Sequence, residues 1–92
     1  MILSFEDQTT KDIYDGLDSK AARKLPKDVW AVARRKLDQL NRAVSTEDMR
    51  APPNNRFMKF EDGFKIRVND QYRMTFKFDN GNATDVLISD TH

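Results

Sequence analysis

The stretch that decides the fold is Gly63-Phe64-Lys65-Ile66-Arg67-Val68-Asn69-Asp70-Gln71-Tyr72-Arg73-Met74-Thr75-Phe76-Lys77-Phe78-Asp79-Asn80-Gly81. Phe64, Ile66 and Val68 alternate with Lys65 and Arg67. Tyr72, Met74, Phe76 and Phe78 alternate with Arg73, Thr75 and Lys77. A period of two is the pattern of a strand with one buried face. Asn69-Asp70 separates the two runs and Asn80-Gly81 follows the second, and both pairs favour tight turns. A third turn pair, Asp62-Gly63, precedes them. The pattern predicts strands near 56–61, 64–68, 71–78 and 83–89, joined as a four-stranded antiparallel meander. One face is aromatic and aliphatic. The other gathers Lys65, Arg67, Arg73 and Lys77.

N-terminal to this region the grammar is helical. Pro52-Pro53-Asn54-Asn55 is expected to end helical structure. Before it, Trp30, Ala33, Leu37, Leu40 and Val44 recur at spacings of three and four, so they share one face of a helix. Pro26 suits its first position, and Asp28 puts a carboxylate in its first turn. Arg34, Arg35, Asp38, Gln39 and Arg42 occupy the other side, which reads as a solvated surface. Ser45-Thr46-Glu47-Asp48 can cap a further short turn. Asp7 to Tyr14 reads as a short helix with Gly16 as its stop, Ser19 to Leu25 is ambiguous, and residues 2–5 suit a short edge strand. The fold class is α+β: N-terminal helices packed on the antiparallel meander, as one domain over 1–92.

Composition narrows the function. The chain has 92 residues, a net charge of +1 from sixteen basic and fifteen acidic side chains, and no cysteine. A chain this short buries only about 60–65% of its unfolded surface. Disulfides and thiolate zinc sites are excluded. No apolar run reaches the length of a signal peptide or a membrane span, so the cytoplasm is the expected location. A near-neutral balance gives no bulk attraction to nucleic acid, but a local basic face depends on where charges sit. Four cations on adjacent strands would make such a face. Exposed strands also carry lysine simply to discourage edge pairing. Arg73, on an interior strand, leans towards function.

Glycine-rich phosphate loops, zinc-ligand spacings and nucleophile elbows are missing. An enzyme built from this sequence would use no cofactor and no metal, only ordinary side chains in acid–base and electrostatic roles. The single histidine, His92, follows Asp90 by two residues. Imidazole is the side chain that titrates near neutrality. Asp90 and the terminal carboxylate favour its protonated form, which suits a general acid. Along the last strand, Asp90 and His92 share the side of Val86 and Ile88.

Four strings then stand out: Arg34-Arg35-Lys36-Leu37, Arg50-Ala51-Pro52-Pro53-Asn54-Asn55-Arg56, Ile66-Arg67-Val68-Asn69-Asp70-Gln71-Tyr72-Arg73 and Asp90-Thr91-His92. Together they resemble the HigB branch of the RelE-type bacterial toxins, over nearly the whole length and in the same order. The resemblance implies a compact α+β toxin that cleaves messenger RNA in the ribosomal A site. It implies a helix-turn-helix antitoxin, similar to HigA, as partner, with DNA contacted only through that complex.

On that reading Arg73 stabilises the phosphate, and Asp90 and His92 transfer protons. Arg56, Lys59, Lys65, Arg67 and Lys77 hold RNA. Two departures from the family pattern favour an alternative, a relative that binds ribosome or antitoxin without cutting. The segment Phe57–Gly63 is a few residues short and lacks the family's basic residues unless Lys59 replaces one. Thr91 stands where the family carries tyrosine.

Overall fold

A computed structural model describes residues 1–90 of the chain; Thr91 and His92 lie outside the described residues. The elements are α1 (Gln8–Tyr14), α2 (Lys27–Arg42), β1 (Met58–Phe60), β2 (Gly63–Arg67), β3 (Tyr72–Asp79) and β4 (Asn82–Asp90). Single 3-10 turns occur at Ala22–Lys24, Thr46–Met49 and Pro53–Asn55. The strands form one antiparallel sheet in the order β1-β2-β3-β4, the expected meander.

The alternating residues behave as their period demands. Ile66, Val68, Tyr72, Met74, Phe76, Val86 and Ile88 are buried and join Ile13, Val29, Leu37 and Leu40 in one core. Phe57, Phe64 and Phe76 stack in series, with centroids 5.5 and 5.9 Å apart. At Asn80-Gly81 both residues take positive φ (52° and 78°), as a two-residue hairpin requires.

The first hairpin turns one residue earlier than expected, at Glu61-Asp62 rather than Asp62-Gly63. Glu61 takes the positive φ. Gly63 begins β2 instead, and a Cβ there would stand 2.9 Å from the Phe76 carbonyl oxygen. Its glycine answers to a close approach between strands rather than to a turn.

β4 carries an irregularity. Lys77 pairs with Thr84 and Thr75 with Leu87, so Asp85 and Val86 together face the single residue Phe76. Asp85 takes φ 53°, and the extra residue resets the alternation. Ala83 and Val86, three apart, both reach the core.

α1 starts at Asp7, whose carboxylate accepts from the Thr10 amide at 2.8 Å. α2 begins after Pro26, one residue later than expected, and stops at Arg42. Ala33, Leu37 and Leu40 are fully buried, but Val44 lies beyond the helix and is 79% exposed. The Asp48 carboxylate accepts from the amides of Val44 and Ser45, drawing the chain into the Ser45-capped turn and away from the apolar stripe. Pro52-Pro53 ends the α-helical half but leads into one more 3-10 turn.

Residues 2–5 do not form a strand. They make two isolated parallel bridges to β4, Ile2 to Ala83 and Phe5 to Val86. The edge of β4 is satisfied piecemeal: Met1 and Ser4 carbonyls accept from Ala83 and Val86, and the buried Thr10 hydroxyl accepts from the Ile88 amide at 3.0 Å. Among the described residues no helix is long and apolar enough to cross a membrane.

Candidate functional site

The β2–β3 connection is built by Asn69. Its side-chain oxygen accepts from the amides of Gln71 and Tyr72, at 2.9 and 2.7 Å, closing a tight side-chain-to-backbone turn. That turn sets the register in which Arg67 and Arg73 stand directly opposite each other. Like charges in a cross-strand pair repel. Each guanidinium is held in place nonetheless. Arg73 donates to the Asn69 and Tyr72 carbonyls, the latter at 3.1 Å. Arg67 forms an ion pair with Asp70.

Asp70 reports what surrounds it. Its carboxyl is held below the ordinary value, first by the hydrogen bond from Arg67 and that charge, then by the charges of Arg56 and Arg73. Three arginines thus converge on one end of the sheet. Arg56 is carried there by the turn after Pro53, in a left-handed conformation at φ 50°, and is exposed.

The remaining candidates do not all join this cluster. Residues directly opposite in an antiparallel pair share a face. Lys65 pairs with Met58 and Thr75 and lies on the arginine face, its ammonium 5.5 Å above the Phe60 ring. Lys59 pairs with Phe64 and so points to the opposite side. Lys77, towards the far end of β3, is engaged by Asp62 at 3.4 Å and Asp85 at 3.6 Å, which hold its ammonium above the ordinary value. The basic face is therefore concentrated at one end rather than spread over four strand positions.

Asp90 pairs with Tyr72, while Arg73 pairs with Ser89. Neighbouring rungs point to opposite faces, so the sheet does not direct Asp90 and Arg73 to the same side. Asp90 is exposed at the end of β4 and accepts from the Gln71 side chain at 2.8 Å. His92, the third catalytic candidate, lies outside the described residues.

A second set of cations is not apparent from the sequence. The charged side of α2, expected to be a solvated surface, lines a cleft of about 640 Å³. Its walls are Val32, Arg35, Lys36, Asp38, Gln39 and Arg42 from α2, Pro52 and Asn54 from the loop, Arg67 at the end of β2 and Val68 just beyond it. Arg34 turns aside and donates to the Ile13 carbonyl at 3.0 Å. Lys36 is half-buried and donates to the Asn55 side-chain oxygen. Burial, then the charges of Arg35 and Arg67, push its ammonium below the ordinary value. Asn55 is fully buried, and its amide nitrogen donates to the Met49 and Ala51 carbonyls at 3.0 Å each. The helical spacing of Arg35, Gln39 and Arg42 is the available signal. Nothing in it says that a proline loop will stand beside that face and complete a cleft.

A sheet backed by two helices, with arginines gathered at one end of its central hairpin, is consistent with the RelE-like class of toxins. The comparisons carry this to a family. A family described as the RelE-like toxin of type II toxin-antitoxin system HigB matches residues 3–92. The chain is 36% identical over 92 residues to Toxin HigB-1 of Vibrio cholerae, spanning 96% of this chain and 95% of that protein. It is also 36% identical over 73 residues to an uncharacterised protein of Haemophilus influenzae, covering 75% of this chain and 71% of the relative. The chain belongs to the HigB family of RelE-like toxins of type II toxin–antitoxin systems. A toxin of that kind has an antitoxin as its partner.

Proposed function

We propose that this toxin is a ribosome-dependent messenger-RNA endonuclease. The observation that carries the reading is the opposed pair Arg67 and Arg73 with Arg56 beside them, all acting on the Asp70 carboxylate. A sheet does not gain stability by placing two arginines on one rung. An anion-binding site does gain from it, because a guanidinium presents a fixed fork to phosphate oxygens.

RNA supplies its own nucleophile. The 2′-oxygen attacks the adjacent phosphorus and loses its proton. The bond from phosphorus to the 5′-oxygen breaks, and that oxygen takes up a proton. The products are a 2′,3′-cyclic phosphate and a 5′-hydroxyl. Arg73, oriented by the Asn69 and Tyr72 carbonyls, donates to the non-bridging oxygens as charge builds on them. Arg56 and Arg67 hold neighbouring phosphates, with Lys65 at the margin. His92 gives the proton to the leaving oxygen; Asp90 accepts the proton of the 2′-hydroxyl or orients His92, which requires the end of β4 to turn from the side its pairing with Tyr72 gives it towards Arg73. This reading gives Lys59 and Lys77 no part. The ribosome supplies the alignment that so open a site lacks, and the partner antitoxin is a helix-turn-helix protein of the HigA kind.

Induced expression with mapping of RNA 5′ ends tests this, comparing the natural chain with Arg73→Ala and His92→Ala. The expected result is ribosome-associated cuts that vanish in both variants. Cuts that survive both would overturn the mechanism. Growth arrest without cuts would support a toxin that binds without cleaving.

A further inference from the structure

We propose that the cleft between α2, the Pro52–Asn54 loop and the end of β2 is a second phosphate-binding site, which takes single-stranded RNA backbone next to the cleavage site. This rests on the reading of the chain as an RNA-cutting toxin.

Three observations carry it. The first is charge. Arg35, Lys36, Arg42 and Arg67 face the cleft against the single carboxylate Asp38. Among the described residues no carboxylate forms an ion pair with Arg35, Lys36 or Arg42. Most other cations of the helical half are engaged: Lys11 with Asp15, Arg23 and Lys27 with Asp18, Arg50 with Glu47. Lys20 and Lys24 also form no ion pair among the described residues but line no cleft; at Arg35, Lys36 and Arg42 such cations stand together on a concave surface.

The second is construction. Lys36 is not a free surface lysine. Its ammonium is anchored to the side-chain oxygen of Asn55, an amide with no exposed surface whose other atoms tie down the Met49–Ala51 segment. An ammonium has three donors, and this anchor uses one of them. The other two are available to a phosphate oxygen. Gln39 bridges the same loop, donating to the Asp48 and Ala51 carbonyls at 2.9 and 2.6 Å. The loop and helix are thus fixed relative to each other before any ligand arrives, which lowers the ordering cost of binding.

The third is continuity. Arg67 belongs to both places, lining this cleft and standing opposite Arg73. A strand whose scissile phosphate sits at Arg73 passes Arg67 and enters the cleft without leaving a positive surface. A volume of about 640 Å³ falls within the range of about 300–1,000 Å³ typical of small-molecule sites. A cleft of this volume between one helix and one loop suits a flexible single strand better than a duplex.

The test is binding of a fluorescent single-stranded RNA, with 2′-deoxy sugars so that it cannot be cut, to the whole purified chain at several salt concentrations. Arg35→Gln/Arg42→Gln removes two cleft charges from exposed positions. Lys20→Gln/Lys24→Gln removes two exposed charges elsewhere. Expected for the cleft pair is a loss of tenfold or more, with the salt slope falling by about 0.7 for each phosphate no longer neutralised, while the Lys20/Lys24 pair stays within about twofold. Equal losses for the two pairs, no loss for the cleft pair, no binding by the natural chain, or tighter binding of duplex DNA than of the single strand would each overturn the proposal. Lys36→Gln, checked by thermal melting against the natural chain, should weaken binding in the same direction; unchanged affinity in a folded variant also counts against it. The two readings separate cleanly. If the natural chain cuts no RNA but the binding contrast stands, the endonuclease reading falls and the cleft stands. If cutting is intact and the cleft pair binds as the natural chain does, the cleft alone falls.

Discussion

Asp70 is the residue on which the arginine cluster can be read most directly. Its side chain is 99% exposed, yet Arg67, Arg56 and Arg73 together hold its carboxyl below the ordinary value of 3.8. A depressed folded value means the ion pair contributes fully above the unfolded carboxyl value. The contribution is lost as pH falls through the lower folded one. An NMR titration of the Asp70 carboxyl should give a midpoint under 3.8, and Arg67→Ala should raise it more than Arg56→Ala does. A midpoint at or above 3.8 in the natural chain would show that the three charges do not converge. Part of this is legible in the sequence. Arg67 and Arg73 alternate with apolar neighbours and flank a turn, so their shared face follows from parity. Asp70's role does not follow, because a turn aspartate reads first as turn chemistry. Lys59 enters only through the resemblance, as a replacement for a basic residue of the family's loop; its face depends on where the first hairpin turns, and Gly63 suggests a turn one residue too far along.

At the scale of elements, periodicity is reliable until a single residue interrupts it. Strands β2 and β3 and helix α2 follow from apolar spacing, β1 and β4 from the turn pairs, α1 from its stop at Gly16, and the Ser45–Asp48 cap from its own residue types. The irregularity at Asp85 is hidden because Asp85 sits within what reads as a continuous alternation; the three-residue step from Ala83 to Val86 is its only mark. The N-terminal segment shows how one side chain can replace a strand. Residues 2–5 satisfy β4 only as far as Val86, and Thr10 supplies the next acceptor from α1. Thr10→Val keeps the shape and removes that acceptor, leaving a buried amide without a partner. Such a loss costs about 1–3 kcal/mol. Urea unfolding should show a lower midpoint with an unchanged slope. An unchanged midpoint would mean that the hydroxyl does not support β4. The charged side of α2 could not be read as a cleft from its own sequence. Its other wall comes from residues ten and more positions later, where Asn55 folds back onto Lys36 and Gln39.

For the whole molecule, a net charge of +1 conceals a strong asymmetry. Salt bridges engage Lys11, Arg23, Lys27, Arg50 and Lys77, with Asp18 shared by Arg23 and Lys27. Arg35, Lys36, Arg42, Arg56, Arg67 and Arg73 collect around one end of the sheet and the adjoining face of α2. In this second set, among the described residues, Arg67 alone is ion-paired, to Asp70. Such a field raises the local concentration of an anionic partner even when the totals nearly cancel. It also fits the proposed attack on ribosome-bound RNA, since one charged edge can enter a site filled with RNA. The measurement that tests this mechanism most directly is single-turnover cleavage by the purified chain of messenger RNA bound in the A site of programmed ribosomes, with analysis of the new ends. The mechanism predicts 5′-hydroxyl and 2′,3′-cyclic phosphate ends, slow or no cutting of the same RNA off the ribosome, and a rate reduced by about 100-fold or more in Arg73→Ala. Ends bearing a 5′-phosphate, or an Arg73→Ala variant as fast as the natural chain, would contradict it.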